Sequence, residues 1–414
     1  MSSLLWPGDA RAGELFDDAA VLAALTQVED AWLTELIKAG IAPPSAAANL
    51  AAVVAADDAA TVADGAEGGG NPVIPLLRLL RERIAPRNGD AATWLHRGLT
   101  SQDVLDSALM LCARAAVERV RAELRGQVEA LAGLADQHRG TPMVARTLTQ
   151  HAVPTTFGGK TAGWLAGVLD AADDLAALAF PAQIGAAAGT LAAPVELARH
   201  ASLPDPVGVA RALAERTAER LGLAPALPWH TNRAPVTRLG DALVRCLDAQ
   251  GRIANDVLTL SRPEIGELRE LVGAGRGGSS AMPQKANPVL SVLIRRAALT
   301  APALGAQLHL AAAEVVDERP DGAWHVEWPA LQLLCRHAVT AVAQGRELLD
   351  GLQVDAEKMA ATLAAADGVL DEAASIAGLF DQPGPPQATD YLGASDAFVD
   401  AAIERAGSYL KGQL

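Results

Sequence analysis

Five polar segments interrupt an otherwise apolar, alanine-rich chain, and the first pairs a histidine with a helix start. His96 is followed by Thr100, Ser101 and Asp103. Backbone amides and hydroxyls at a helix N-terminus can bind an anion, and a histidine beside them can exchange a proton near neutral pH. Thr100 and Asp103 also match a capping box. The segment therefore predicts either an anion site or only a well-capped helix.

A second histidine, His151, lies between polar residues just ahead of Pro154, in a segment that also holds Arg146 and Thr147. Histidine changes its charge near neutral pH, which suits a general acid or base. The same pattern is equally typical of a structured loop, so the segment by itself leaves both interpretations open.

A glycine-rich stretch occupies residues 273–278, and three of its glycines satisfy the spacing G-x-G-x-x-G. The sequence before it does not read as a strand and no helix opens directly after it, so we reject dinucleotide binding. The Gly-Lys-Ser/Thr ending of a P-loop is missing as well. The glycines instead predict a mobile loop, residues 273–284, that carries Ser279 into a closed site and excludes water.

The remaining polar segments add cationic and amide groups. Lys285 and Asn287 supply a cation and an amide directly after the glycine-rich loop. Asn232 lies among donors and acceptors ahead of a predicted helix. Arg319 follows two acidic residues between two long helices, where a guanidinium can bind a carboxylate in a bidentate manner. A solvated turn is the alternative for that last segment.

Composition limits both the fold and the class of ligand. Half of the 414 residues are hydrophobic and only 3% are aromatic, which excludes a disordered chain. Good helix formers dominate, whereas the residues that strands favour are scarce, so we expect an all-α protein. The formal net charge is −15 and the basic residues are scattered. Nucleic acid is therefore not an expected partner, because neutralising phosphates supplies most of that affinity.

Long helices must position the polar segments. From Thr100 to about His138, apolar residues recur every three or four positions without a proline, as in a bundle helix. Comparable segments occur at 155–181, 235–262, 288–314 and 323–350. Together they predict a central bundle of about five long helices. We expect three helical domains, at 1–100, 101–350 and 351–414.

The three cysteines, Cys112, Cys246 and Cys335, lie far apart in apolar helical contexts, which suggests neither disulfides nor a zinc site. The first residues lack the basic and apolar regions of a secretory signal. No uncharged apolar run approaches the length of a membrane span. We expect a cytoplasmic protein that binds no metal and no membrane.

The polar segments also match known motifs. Residues 278–288, GSSAMPQKANP, are similar to the fumarase/aspartase superfamily signature G-S-S-x-M-P-x-K-x-N-P. Residues 96–104 resemble the H-x-G-x-T-S-x-D-V of the branch that contains adenylosuccinate lyase and carboxymuconate cycloisomerase. Further stretches most resemble the bacterial 3-carboxy-cis,cis-muconate cycloisomerases, at 146–152, 185–190, 228–231, 318–328 and 390–393. The resemblance covers nearly the whole chain in order.

The resemblance implies three helical domains, a homotetramer with active sites shared between subunits, and no cofactor. It implies a small polycarboxylate substrate that is interconverted with an alkene through a carbanion next to a carboxylate. By motif position, Ser279 would transfer the proton at that carbon, and His151 would be a second acid or base or would orient the substrate. The residues implied to bind the substrate are His96, Thr100, Ser101, Arg146, Thr147, Asn232, Lys285, Asn287 and Arg319.

The leading hypothesis is the cycloisomerase reaction of aromatic degradation, in which a carboxylate of 3-carboxy-cis,cis-muconate adds across a double bond to give a carboxymuconolactone. The alternative is a C–N lyase that releases fumarate or a related alkene, either adenylosuccinate lyase or a lyase of a modified succinate. No phosphate site for a nucleotide is recognisable. A structural relative without activity is the third hypothesis.

Three features depart from the cycloisomerase pattern. Asp317 stands where that pattern has histidine, and Asn232 stands where it has glutamine. The C-terminal domain is also shorter than in the family. Because that domain helps to cover the active site in relatives, its length bears on lid closure and on the identity of the substrate.

Overall fold

The computed structural model of the protein describes residues 4–271, 277–278, 282 and 285–412. Within these residues the chain is helical with two pairs of short strands, which confirms the all-α prediction. The α-helices are α1 (Asp18–Lys38), α2 (Asp58–Ala66), α3 (Val73–Ile84), α4 (Gly89–Trp94), α5 (Ser101–Gln137), α6 (Phe157–Ala176), α7 (Ala192–His200), α8 (Pro206–Leu221), α9 (Ala234–Leu260), α10 (Val289–Ala313), α11 (Gly322–Asp350), α12 (Ala356–Ala364), α13 (Asp371–Gly378) and α14 (Ser395–Leu410). The strands are β1 (Pro142–Thr147), β2 (Gln150–Thr156), β3 (Leu268–Glu270) and β4 (Leu352–Val354). Short 3-10 helices lie at Asp9–Ala12, Pro44–Ala46, Leu50–Val53, Glu67–Gly69 and Ala388–Asp390.

The five long helices expected from the sequence are all present. Helices α5, α6, α9, α10 and α11 have 37, 20, 27, 25 and 29 residues. The apolar stripe predicted for α5 is buried along its whole length, at Leu105, Leu109, Cys112, Ala116, Val120, Leu124, Val128 and Leu131. Burial of such a stripe supplies most of the stability of a helix in a folded protein.

Helix α10 is the one described helix that is long and apolar enough to cross a membrane by length and composition. Its most apolar window has a mean hydropathy of 1.4, and 39% of that window is buried. Core helices of soluble proteins can be as long and as apolar, so one such helix is weak evidence for a membrane span.

The chain forms two compact units, each assembled from three stretches of sequence. Unit 1 comprises Met1–Glu118, Leu178–Asp241 and Ala303–Arg336. Unit 2 comprises Arg119–Ala177, Ala242–Pro302 and His337–Leu414. The division into three consecutive domains stays a prediction.

In unit 1, helix α1 packs beside the segment that carries His96. Its N-terminus is capped by Asp17, whose side chain accepts from the Ala20 amide, and its apolar face is buried and packs on α8. Trp32 on that face donates its indole N–H to the carbonyl of Arg97 at 2.7 Å. The residue after His96 is therefore fixed by a side chain of the N-terminal helix.

In unit 2, strands β1 and β2 form an antiparallel hairpin that the sequence did not predict. Its two-residue turn consists of Leu148 and Thr149, with φ values of 47° and 72°, as in the tight hairpin turns of type I′. The register places Arg146 opposite His151. The segment that read as a loop is therefore a two-stranded hairpin.

Candidate active site

The first turn of α5 brings together two residues expected to bind substrate. The Thr100 amide donates to Asp103 Oδ2 at 3.1 Å, which is one half of the predicted capping box. The Asp103 amide donates to the Thr100 carbonyl, whereas the Thr100 hydroxyl accepts from Arg319 Nη1 at 2.7 Å. Arg319 Nη2 donates to the Ala187 carbonyl at 2.6 Å. A guanidinium is therefore held at the positive end of a 37-residue helix.

This arrangement suits a carboxylate. Within the described residues, Arg319 uses two of its five N–H donors, on Thr100 and Ala187, so its remaining donors can meet an anion. Ser101 is the first residue of α5 and is partly exposed. Its hydroxyl and the free amides of the first helical turn add further donors.

His96 is held by a carboxylate that sequence reasoning missed. Its Nδ1 lies 2.6 Å from Oε1 of Glu29 on α1, and Glu29 has no exposed surface. A carboxylate that accepts this hydrogen bond places the proton on Nδ1, and Nε2 is then the nitrogen that faces a ligand. The backbone of His96 has φ 65°, and non-glycine residues in that region concentrate at functional sites. A charged residue among the mostly apolar residues on the buried face of α1 was the available signal.

Asn232 lies on the surface of unit 1, next to a buried ion cluster. Its Oδ1 accepts from the Ala234 amide at 3.3 Å, which helps to cap α9. The neighbouring Arg233 is buried and pairs with Asp106 and Glu327 at 2.7 and 2.6 Å. Within the described part of unit 1, no hydrogen bond joins Asn232 or His96 to the Thr100–Arg319 pair.

The hairpin of unit 2 presents His151 and Thr147 to the solvent, since both side chains are exposed. Arg146 makes two parallel bonds to Glu267, at 3.0 and 2.7 Å. Glu267 has no exposed surface, and a buried carboxylate needs such a partner. The structure thus shows Arg146 anchoring the hairpin, and its role in substrate binding stays a prediction.

The segment after the glycine-rich stretch also belongs to unit 2. The Asn287 amide and its Nδ2 both donate to the Gly277 carbonyl, at 2.9 and 3.2 Å, which closes the base of the loop. Lys285 is exposed. Ser279 and the rest of the predicted mobile loop 273–284 lie outside the described residues, apart from positions 277–278 and 282.

The predicted site residues are divided between the two units. Unit 1 holds His96, Thr100, Ser101, Asn232 and Arg319. Unit 2 holds Arg146, Thr147, His151, Lys285 and Asn287. Each unit thus carries its own set of histidine and cationic groups.

The cysteines do not compete for a catalytic role. All three are free and buried, and burial raises the pKa of the Cys112 and Cys246 thiols to about 12. A thiol that stays protonated is a poor nucleophile. Among the described residues, no group of three or more His, Cys, Asp or Glu side chains is arranged to hold a metal ion.

Comparison with known proteins identifies the family. A family profile described as lyase matches residues 22–302. A nitrosuccinate lyase from Streptomyces davaonensis is 46% identical over 351 residues, which span 84% of this chain and 73% of that protein. A 3-carboxy-cis,cis-muconate cycloisomerase from Bradyrhizobium diazoefficiens is 37% identical over 400 residues, which span 94% of this chain and 83% of that protein.

Solved structures agree with these matches. The crystal structure of the 3-carboxy-cis,cis-muconate lactonizing enzyme from Pseudomonas putida superposes with a TM-score of 0.85 and 30% identity, covering 96% of both chains. The long-helix fold therefore defines the class, an all-α enzyme of the lyase type. The chain belongs to the lyase family of the fumarase/aspartase superfamily, as its motifs indicated.

Proposed function

We propose that this enzyme eliminates an anionic group from a small substituted succinate, and that its substrate is 2-nitrosuccinate. The observation that carries the proposal is the pairing of Arg319 with Thr100 at the N-terminus of α5, because that arrangement suits a carboxylate. The 46% identity to a nitrosuccinate lyase favours the nitro compound among substituted succinates.

The reaction needs one base and an anion-binding site. A proton leaves carbon 3 of the substrate, next to a carboxylate, and the adjacent carboxylate stabilises the carbanion. The electron pair then forms the double bond of fumarate, and the C–N bond breaks to release nitrite. We assign the removal of this proton to Ser279, because of its position in the signature at residues 278–288. A serine needs a stabilised alkoxide, and Lys285 is the cation assigned to that task.

The remaining residues have binding roles in this proposal. Charge accumulates on the carboxylate beside the carbanion, so donors aimed at it lower the barrier. Arg319 and Thr100 are proposed to supply those donors in unit 1. His96 adds a donor at Nε2 when its ring carries both protons. Nitrite leaves as an anion and needs no proton, so His151 is proposed to orient the substrate rather than to act as an acid.

The cycloisomerase reaction is the second candidate. It is supported by the 37% identity that extends over 94% of the chain and by the TM-score of 0.85 to the lactonizing enzyme. The same groups would serve it, since a proton is again transferred next to a carboxylate and a carboxylate is the nucleophile or leaving group.

A parallel assay separates the candidates. Purified full-length protein is offered 2-nitrosuccinate, 3-carboxy-cis,cis-muconate and adenylosuccinate in turn, and nitrite, fumarate and loss of the conjugated diene are measured. We expect nitrite and fumarate in equal amounts from the first compound. Diene loss without nitrite would support the cycloisomerase, and no turnover of any compound would contradict both proposals.

The variant Ser279→Ala provides the matched control. It should abolish enzymatic nitrite release while leaving the helical content and the oligomer size unchanged. Nitrite that persists at the wild-type rate in this variant would show that the substrate decays without the proposed base.

A further inference from the structure

Asp103, on the first turn of α5, has no exposed surface, and its carboxylate is surrounded by five nitrogen atoms. The contacts of Oδ1 are Gly185 N at 2.8 Å, Gln183 Nε2 at 3.0 Å and His230 Nε2 at 3.1 Å. The contacts of Oδ2 are Ala186 N at 2.9 Å and Thr100 N at 3.1 Å. So many partners for one buried carboxylate exceed what capping a helix requires.

The loop bound by Asp103 adopts a conformation that its residues do not favour. Ala186 has φ 61°, in the left-handed region that costs a non-glycine residue free energy. A Cβ at Gly185 would lie 2.7 Å from Cε1 of His230, so only glycine fits there. The bonds to Asp103 offset this strain and hold the loop against α5.

The same carboxylate fixes both partners of Arg319. Thr100, whose hydroxyl accepts from Nη1, is held through its own amide, and Ala187, whose carbonyl accepts from Nη2, directly follows the held residue Ala186. We propose that Asp103 is a positioning residue for substrate binding, which sets the guanidinium of Arg319 toward a substrate carboxylate. This inference rests on the proposed carboxylate-binding role of Arg319.

The variant Asp103→Asn tests the inference because it keeps the shape and changes the donor pattern. Its amide nitrogen would face N–H donors on one side, so part of the loop must be released. We therefore expect about a tenfold or larger rise in the Kd for succinate, which corresponds to about 1.4 kcal/mol or more of binding free energy. The KM for 2-nitrosuccinate should rise in parallel, with a smaller change in kcat.

Ser107→Ala is the matched control. Ser107 lies on the same helix face, and its hydroxyl bonds the amide and the carbonyl of Gln183 at 2.9 and 3.0 Å. It bonds neither Thr100 nor the Ala186–Ala187 segment, so succinate should bind this variant nearly as tightly as wild type. If the succinate Kd rose as much in Ser107→Ala as in Asp103→Asn, Asp103 would have only a general structural role, and the proposal would be overturned.

A double-mutant cycle with Arg319→Ala distinguishes a positioning role of Asp103 from a merely structural one. If Asp103 acts through Arg319, Asp103→Asn should not raise the succinate Kd further in the Arg319→Ala background. Additive effects on the Kd would overturn the proposal. Calorimetry with succinate measures binding and needs no turnover. If the protein binds succinate but releases no nitrite, the proposed function alone is contradicted. If wild type does not bind succinate, this inference is contradicted.

Ala186→Gly covers the case in which Asp103→Asn fails to fold. Glycine accepts the positive φ without strain, so the fold should persist while the loop gains freedom. We expect a smaller rise in the succinate Kd that disappears in the Arg319→Ala background. An unchanged Kd in this variant, with Asp103→Asn unfolded, would also count against the proposal.

Discussion

Oε1 of Glu29 lies 2.6 Å from Nδ1 of His96, although 67 positions separate the two residues in the sequence. Trp32, almost one turn further along α1, binds the carbonyl of Arg97. Helix α1 therefore holds the histidine at its ring and at the adjoining backbone. The N-terminal helix thus decides which ring nitrogen of His96 is available to a ligand.

Replacement of Glu29 tests this relationship. Glu29→Ala leaves the Nδ1–H of His96 without its acceptor, so we expect a loss of about 1–3 kcal/mol in the free energy of unfolding and a lower kcat/KM. Urea titration and initial rates provide the two measurements. Glu29→Gln keeps an acceptor oxygen and should retain most of both quantities. Equal losses of stability and activity in the two variants would show that neither quantity depends on this hydrogen bond.

The buried cluster around Arg233 should dominate the stability of unit 1. Arg233→Ala leaves Asp106 and Glu327 buried without their cation, which costs about 3–5 kcal/mol of free energy of unfolding. The matched control is Arg199→Ala, because Arg199 forms an exposed pair with Glu196, and such a pair contributes less than about 1 kcal/mol. Similar urea midpoints for the two variants would contradict this prediction.

Glu327 should also give the free energy of unfolding a pH dependence. Burial raises its pKa above the ordinary value of 4.5, and the effect of Arg233 in the opposite direction is smaller. The folded protein therefore holds this proton more tightly than the unfolded chain, and the contribution of Glu327 to stability falls as pH rises through the raised pKa.

The variant Glu327→Gln cannot titrate, so it isolates this effect. The free energy of unfolding of wild type minus that of the variant should decrease from about pH 4.5 upward and level off above the raised pKa. Urea titrations at a series of pH values provide the measurement. A difference that is constant or that increases with pH would show that the pKa of Glu327 is not raised.

The hairpin turn should be open to stabilisation. Leu148 and Thr149 both have positive φ, and the Leu148 side chain is 96% exposed, so little packing offsets the strain. The double variant Leu148→Asn, Thr149→Gly should raise the free energy of unfolding by about 1–3 kcal/mol. Leu148→Ala keeps the positive φ and should bring no such gain. A gain from the alanine variant would assign the effect to the exposed side chain instead.

Much of the fold could be predicted from local sequence patterns. The stripe from Leu105 to Leu131 predicted α5 because helical spacing is a property of neighbouring residues, and its burial confirms that prediction. The hairpin was missed for the same reason, since Leu148 and Thr149 are not typical turn residues. Their conformation is imposed by the strands on either side and by the bond from Arg146 to Glu267.

By itself, the sequence determined the helical class, the five long helices, the family and the identity of the polar residues. Only the tertiary structure decided their partners. The pairing of Thr100 with Arg319 and of His96 with Glu29 joins positions far apart in the chain. Four of the five nitrogen contacts of Asp103 likewise come from distant residues, at 183–186 and 230. Such contacts depend on how helices and loops pack, and packing is set by long-range burial and hydrogen bonding rather than by the spacing of nearby residues.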